Sequence, residues 1–169
     1  QRTLLPKTIP QISGFEFAGR LLPAAEVGGD YWSIKHHKST GIVTLKLADI
    51  SGHGLAAATL VAAVKFISGG YYSGAASASE VMQKTNQVLT RETPHEILVS
   101  MVYGWLNPNK KKLTLVNAGL EPVFACTKTQ CLDIVPTGPV MGFNEDSEYT
   151  EFDIDLSEGD VVFFGSDGI

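Results

Sequence analysis

The chain is poor in cysteine, in clustered basic residues and in long apolar runs, and each shortage narrows what it can be. Its 169 residues include two cysteines, Cys126 and Cys131, with TKTQ between them. That is too few for a disulfide-built scaffold, and two cysteines with no histidine near them in sequence make a poor zinc site. Two free thiols are expected; a disulfide is geometrically possible if TKTQ forms the tip of a hairpin. Lys+Arg number 13 against 18 Asp+Glu, a formal charge of -5. Apart from Lys110, Lys111 and Lys112 the basic residues are scattered, which argues against nucleic acid as a partner. No apolar run reaches the roughly 18 residues of a membrane span, and QRTLLPKTIP is not a signal peptide, so the sequence predicts no membrane partner and a cytoplasmic location. The chain does not begin with Met, so either a domain cut from a longer protein or one whose first residues are missing is expected.

What is present is the material of one globular domain. A chain that is 44% apolar and 18% charged can bury a sizeable core at this length. Period-two patterns predict strands at residues 14–22, 42–50, 97–106, 112–118, 121–126, 131–135, 149–154 and 160–165. NPNKKK between two of them is hairpin chemistry. Residues 54–68, GLAAATLVAAVKFIS, are apolar nearly all the way round and predict a helix buried on most of its surface. Residues 78–91 predict a second helix: Ser77 and Glu80 have capping-box spacing, and Val81, Thr85, Val88 and Leu89 share a face. Strands, two helices, then strands again is not a parallel βαβ alternation, so an α+β layered domain on antiparallel sheet follows.

Three aspartates draw attention because each stands beside glycine at the end of an apolar stretch. They are Asp30 in EVGGDYW, Asp49 in LADISGHG and Asp167 in GDVVFFGSDGI. Carboxylates at strand ends, followed by small residues that expose backbone carbonyls, suit a hard divalent cation. Asp-Gly is equally the commonest turn chemistry, so residue pattern alone leaves a cation site and ordinary turns both open. His53 in the SGHG turn is either a group near a cation or a plain helix-start residue. His36, His37 and His95 are expected in surface loops.

The succession PAAEVGGDYW, LADISGHGLAAATL, NAGLEPVF, TGPVMGF and EGDVVFFGSDGI resembles the bacterial metal-dependent serine/threonine phosphatases of the PP2C superfamily, in the sporulation and stress-response (SpoIIE-like) branch. The resemblance covers essentially the whole chain, with the motifs in family order, and so implies a single phosphatase domain over residues 1–169. It implies an α+β fold, a four-layer αββα sandwich of two antiparallel sheets flanked by helices. It implies hydrolysis of phosphoserine or phosphothreonine on a partner protein, with two Mn2+ or Mg2+ ions activating a water. By the motifs, Asp30, Asp49 and Asp167 become metal ligands, Asp49 bridging the ions, with the backbone carbonyl of Ile50 on the second ion. The implied partner is a phosphorylated protein such as a small anti-sigma antagonist domain, and a sensor or receiver domain upstream would regulate the activity.

The chain departs from the family pattern at three points. Ser33 stands where a second acid commonly follows GGDYY, Leu120 replaces the histidine of NAGH, and the sequence ends at SDGI before the family's further helix and late aspartate, so the C-terminal part of the fold looks missing. The competing reading is therefore a phosphatase-like regulatory module that binds without turnover. A third, a structural Ca2+ domain, would melt higher with metal yet release no phosphate. The loops at residues 34–41 and 142–150 are the expected recognition segments.

Overall fold

A computed structural model describes residues 4–22, 28–52, 54–94 and 96–167. The chain runs through β1 (Tyr31–His37), β2 (Ile42–Ile50), α1 (Gly54–Gly70), α2 (Ala78–Glu92), β3 (Val99–Asn107), β4 (Lys112–Ala118), β5 (Val123–Cys126), β6 (Cys131–Ile134), β7 (Phe152–Asp155) and β8 (Val161–Phe163). Among the described residues the strands pair antiparallel throughout, in a five-stranded sheet of order β1-β2-β3-β4-β7 and a three-stranded sheet of order β6-β5-β8. The α+β class and the pair of antiparallel sheets agree with the sequence reading. The described helices, α1 and α2, both pack on the five-stranded sheet. Three of the four expected layers are therefore seen among the described residues.

Alternation along β2 decides which side chains face which layer. Val43, Leu45 and Leu47 pack between the two sheets, with Val102, Leu106, Leu113, Leu115, Leu120 and Val123. Ala48 and Ile50 point the other way, into a core shared with Val61 and Val64 of α1 and Val81, Met82 and Leu89 of α2. A one-residue slip would exchange the two sets, so these two cores fix the register.

α2 starts as its capping box requires: the Ser77 hydroxyl accepts from Glu80 N at 3.1 Å. The Glu80 carboxylate accepts from Ala76 N at 2.6 Å, one residue earlier than the motif's usual donor. Its buried face is Ala78, Val81, Met82, Thr85, Asn86 and Leu89, which keeps three of the four predicted residues and leaves Val88 at the margin. For α1 the prediction of all-round burial fails. Ala57, Val61, Val64 and Ser68 are buried, but Phe66 is 67% exposed, because the sheet and α2 cover only one side of the helix.

Two strand assignments change. Residues 14–22 form no ladder; an isolated Ile12 to Phe15 bridge is all the pairing there. Phe15 and Phe17 cover the rim of the inter-sheet core instead, so their alternation reports one-sided burial rather than a strand. Conversely, residues 31–37 are β1, an edge strand whose Lys35, His36 and His37 gave it the look of a loop. His36 and His37 are thus strand residues, not surface-loop residues. His37 is half-buried, with its ring stacked on Tyr72 at 3.6 Å between centroids. Burial first, then Lys35, Lys46 and His36, lowers its pKa to about 4.

The thiol expectation is also corrected. The β5–β6 register sets Cys126 opposite Cys131 with Cα atoms 3.9 Å apart, and the two sulfurs are bonded. Thr127 N donating to Gln130 O at 2.8 Å closes the tip that brings them together.

Candidate active site at the mouth of the sandwich

Asp30 immediately precedes β1 and Asp49 is the penultimate residue of β2. The β1–β2 register pairs Tyr31 with Ala48, so the next step along both strands sets Asp30 beside Asp49. The sequence reading put each acid at a strand's end; Asp30 in fact stands at a strand's start, and it is the antiparallel pairing that unites them. Tyr31 and Ala48 face the helices, so by alternation the two acids face the three-stranded sheet.

The second sheet brings its own acids to the same place. The β5–β8 pairing of Phe124 with Phe163, continued three residues outward, puts Glu121 level with Ser166, and Asp167 follows. The Ser166 hydroxyl donates to Asp30 Oδ2 at 3.4 Å, tying the two sheets across the opening. Glu121 is a site residue that the sequence analysis did not single out. Asn117 fixes its turn: the Asn117 amide donates to the carbonyls of Leu120 and Glu121 at 3.2 and 3.0 Å and accepts from Leu120 N at 2.9 Å. Leu120, standing where the family's motif has histidine, is buried between the sheets. Ser33 lies on β1 two residues beyond Tyr31, hence on the helix side and turned away from Asp30.

Electrostatics records the crowding. The Asp49 carboxyl is held above its usual range by burial first, then by the charges of Asp30, Asp167 and Glu121. Burial likewise raises Asp30, with Asp167 and Glu121 adding to the effect and the Ser166 hydroxyl opposing it. A carboxyl raised in the folded state keeps its proton to higher pH than in the unfolded chain. Stability contributed by Asp30 and Asp49 is therefore present below the unfolded carboxyl range and is lost as pH rises through the folded values.

Backbone geometry adds a neutral oxygen. A Cβ on Gly29 would lie 2.3 Å from the Ile50 carbonyl oxygen, so only glycine lets the segment before Asp30 lie against the end of β2. Beyond it, Ser51 N donates to Leu98 O and Leu98 N to the Ser51 hydroxyl, both at 2.8 Å, which holds the turn to α1 against β3. All the groups gathered here are hard oxygen donors, the set that suits Mg2+ or Mn2+. The anionic crowding and the glycine cradle fit such a cation. Among the described residues, no three His, Cys, Asp or Glu side chains close on one point tightly enough to chelate an ion on their own. His53 and His95 lie outside the described residues.

The segment at residues 142–150 is fastened to α2. Asn86 donates to Asn144 O at 2.8 Å and accepts from Gly142 N at 3.0 Å, and Arg91 pairs with Glu145. No described helix is long and apolar enough to cross a membrane.

Comparison with known proteins places these features. Residues 39–169 match the family model of Stage II sporulation protein E (SpoIIE). The phosphoserine phosphatase RsbU of Bacillus subtilis (strain 168) is 28% identical over 171 residues, covering 100% of this chain and 50% of that protein. The chain therefore spans about half the length of this curated relative. Among solved structures, the PP2C phosphatase domain with a fragment of the regulatory domain of SpoIIE from Bacillus subtilis superposes with TM-score 0.73 at 18% identity, over 85% of this chain and 42% of that one. RsbX in complex with magnesium superposes with TM-score 0.64 at 16% identity, over 81% and 65% of the two chains. The fold is that of the PP2C phosphatases.

Proposed function

The chain belongs to the Stage II sporulation protein E (SpoIIE) family, and from that premise we propose that it removes phosphate from phosphoserine or phosphothreonine on a partner protein in bacterial stress or sporulation signalling. The observation that carries this reading is the meeting of Asp30 and Asp49 at one mouth, where burial raises both carboxyls and the charges of Asp167 and Glu121 add to it. A pure binding module has no use for that arrangement.

Asp30, Asp49, Asp167 and the Ile50 carbonyl would hold a pair of Mn2+ or Mg2+ ions, with Glu121 at the rim. When bound, such a pair supplies a water made nucleophilic near neutral pH and offsets charge on the phosphoryl oxygens. The protein's own groups do the positioning. Ser166 orients the Asp30 carboxylate, Gly29 leaves the Ile50 oxygen approachable, and Asn117 fixes the turn that presents Glu121. The partner would be a phosphorylated protein such as an anti-sigma antagonist domain, met in the cytoplasm, where the Cys126–Cys131 pair, exposed at Cys131, is open to reduction.

A second reading, a regulatory module without turnover, is favoured by the lack of a ready three-carboxylate chelate among the described residues. Phosphate release from a phosphoserine peptide in Mn2+ separates the two, with Asp49→Asn as control. Wild type turning over at least about a hundredfold faster than the variant supports hydrolysis. Equal rates exclude it.

A further inference from the structure

On its helix-facing side the five-stranded sheet carries a second gathering of ionisable groups, opposite in sign to the acidic mouth. A cavity of about 460 Å3 lies among the Leu4–Thr8 segment, β1, β2 and α1, lined by Lys35, His37, Thr44, Lys46, Lys65 and Tyr72, among others. Lys46 is 7% exposed. Its ammonium donates to Ser68 Oγ at 2.9 Å and sits 5.4 Å from the centre of the Tyr103 ring. Ser68 spends its own proton on Val64 O, and Lys65 donates to Leu4 O at 2.6 Å.

No carboxylate lines this cavity, and among the described residues none lies within ion-pair distance of Lys35, Lys46 or Lys65. The Tyr103 hydroxyl, buried beside Lys46, has no hydrogen-bond partner there either. An ammonium has three protons to donate, and a buried cation without a counter-charge is costly. Three lysines around one half-open space, Lys46 buried at its base and Lys35 exposed at its edge, come from three different elements and make a basic pocket that lacks its anion.

We propose that this cavity is an anion site, separate from the phosphatase centre, that takes a small tetrahedral oxyanion of the phosphate or sulfate class between Lys46, Lys65 and Lys35. The anion is either free or the head of a small ester whose body lies along Leu4 and Phe66, the apolar part of the wall. The ionisable groups facing Lys46 are Lys35 and His37 from β1, Lys65 from α1, Tyr103 from β3, and Tyr31 and Tyr72 at the margins. Burial first, then Lys35 and Lys65, lowers the Lys46 pKa to about 7. A bound dianion restores the charge, so binding draws in a proton above that pH.

The test titrates sulfate into the chain at constant ionic strength with EDTA present, so that no cation at the acidic mouth can hold the anion. Sulfate keeps one charge state between about pH 5 and 9, which isolates the protein's own titration. Saturable binding that perturbs the amides of Ser33, Thr44 and Gly69, weakened about tenfold or more in Lys46→Met, supports the site. Affinity should also fall as pH rises above 7. Phenyl phosphate against inorganic phosphate, both chiefly dianions at about pH 8, distinguishes the sources: tighter binding of phenyl phosphate identifies an ester, equal or weaker binding a free anion. Absence of saturation, equal affinity in wild type and Lys46→Met, or affinity that ignores pH overturns the proposal. Should Lys46→Met lose its circular dichroism, Lys65→Met at the rim decides, and unchanged sulfate affinity there overturns it as well.

Discussion

The two faces of the five-stranded sheet carry opposite charge within three residues of one strand. Asp49 points toward the three-stranded sheet and meets Asp30, Glu121 and Asp167; Lys46 points toward the helices and meets Lys35 and Lys65. Each cluster raises the free energy of its own ionised members. What differs is enclosure. The acids sit at an open rim where both sheets end, so a cation can be gripped from several sides and still leave room for a reacting molecule. The lysines sit in a walled space behind α1, where a ligand would be held. A fold with hydrophobic layers on both sides of one sheet thus separates two charged sites by the thickness of a single strand.

That contrast can be broken from the lysine side first. Lys46→Met removes an uncompensated buried charge and keeps an unbranched side chain only one atom shorter, so it should stabilise the empty protein by up to about 4 kcal/mol at pH 6. The sign follows from the lowered pKa of about 7 against an unfolded value of 10.5. Below pH 7 both states are charged and the burial cost is present in full. Between 7 and 10.5 the unfolded chain binds the extra proton, so wild-type stability rises with pH and the advantage of methionine shrinks. Urea unfolding of both proteins at pH 6 and pH 9 checks this; a constant difference would mean that Lys46 keeps its proton in the folded state up to pH 9, its pKa not lowered by burial.

A smaller effect is expected on the acidic side from Asn117→Ala. The loss leaves Leu120 N, Leu120 O and Glu121 O without their partner and should cost about 1–3 kcal/mol. It should also weaken the gain in melting temperature that Mn2+ gives, because the turn presenting Glu121 is loosened. Loss of stability with an unchanged Mn2+ response would separate Glu121 from the cation site.

How much of this was legible in the sequence follows from how local each signal is. The strands β2, β3 and β4 alternate cleanly because both of their faces meet a core, and Ser77 with Glu80 marks the start of α2 by a contact only three residues long. Asp30 and Asp49 could be picked out because glycine and acid sit side by side. β1 was missed because an edge strand can carry Lys35, His36 and His37 without penalty. Residues 14–22 misled because packing on a core rim produces the same alternation as pairing. Glu121 was invisible because only the β5–β8 register brings it level with Ser166. The lysine cavity was equally hidden, since Lys35, Lys46 and Lys65 come from three elements and meet only after α1 folds back over the sheet. The cysteines meet across a turn that the sequence permitted but did not require.

Anomalous scattering from a crystal of this chain soaked in Mn2+ tests the central claim most directly. The account predicts manganese density between the Asp30 and Asp49 carboxylates, within ligand distance of the Ile50 carbonyl oxygen. Density elsewhere, or none at that mouth while the two side chains point apart, would contradict it.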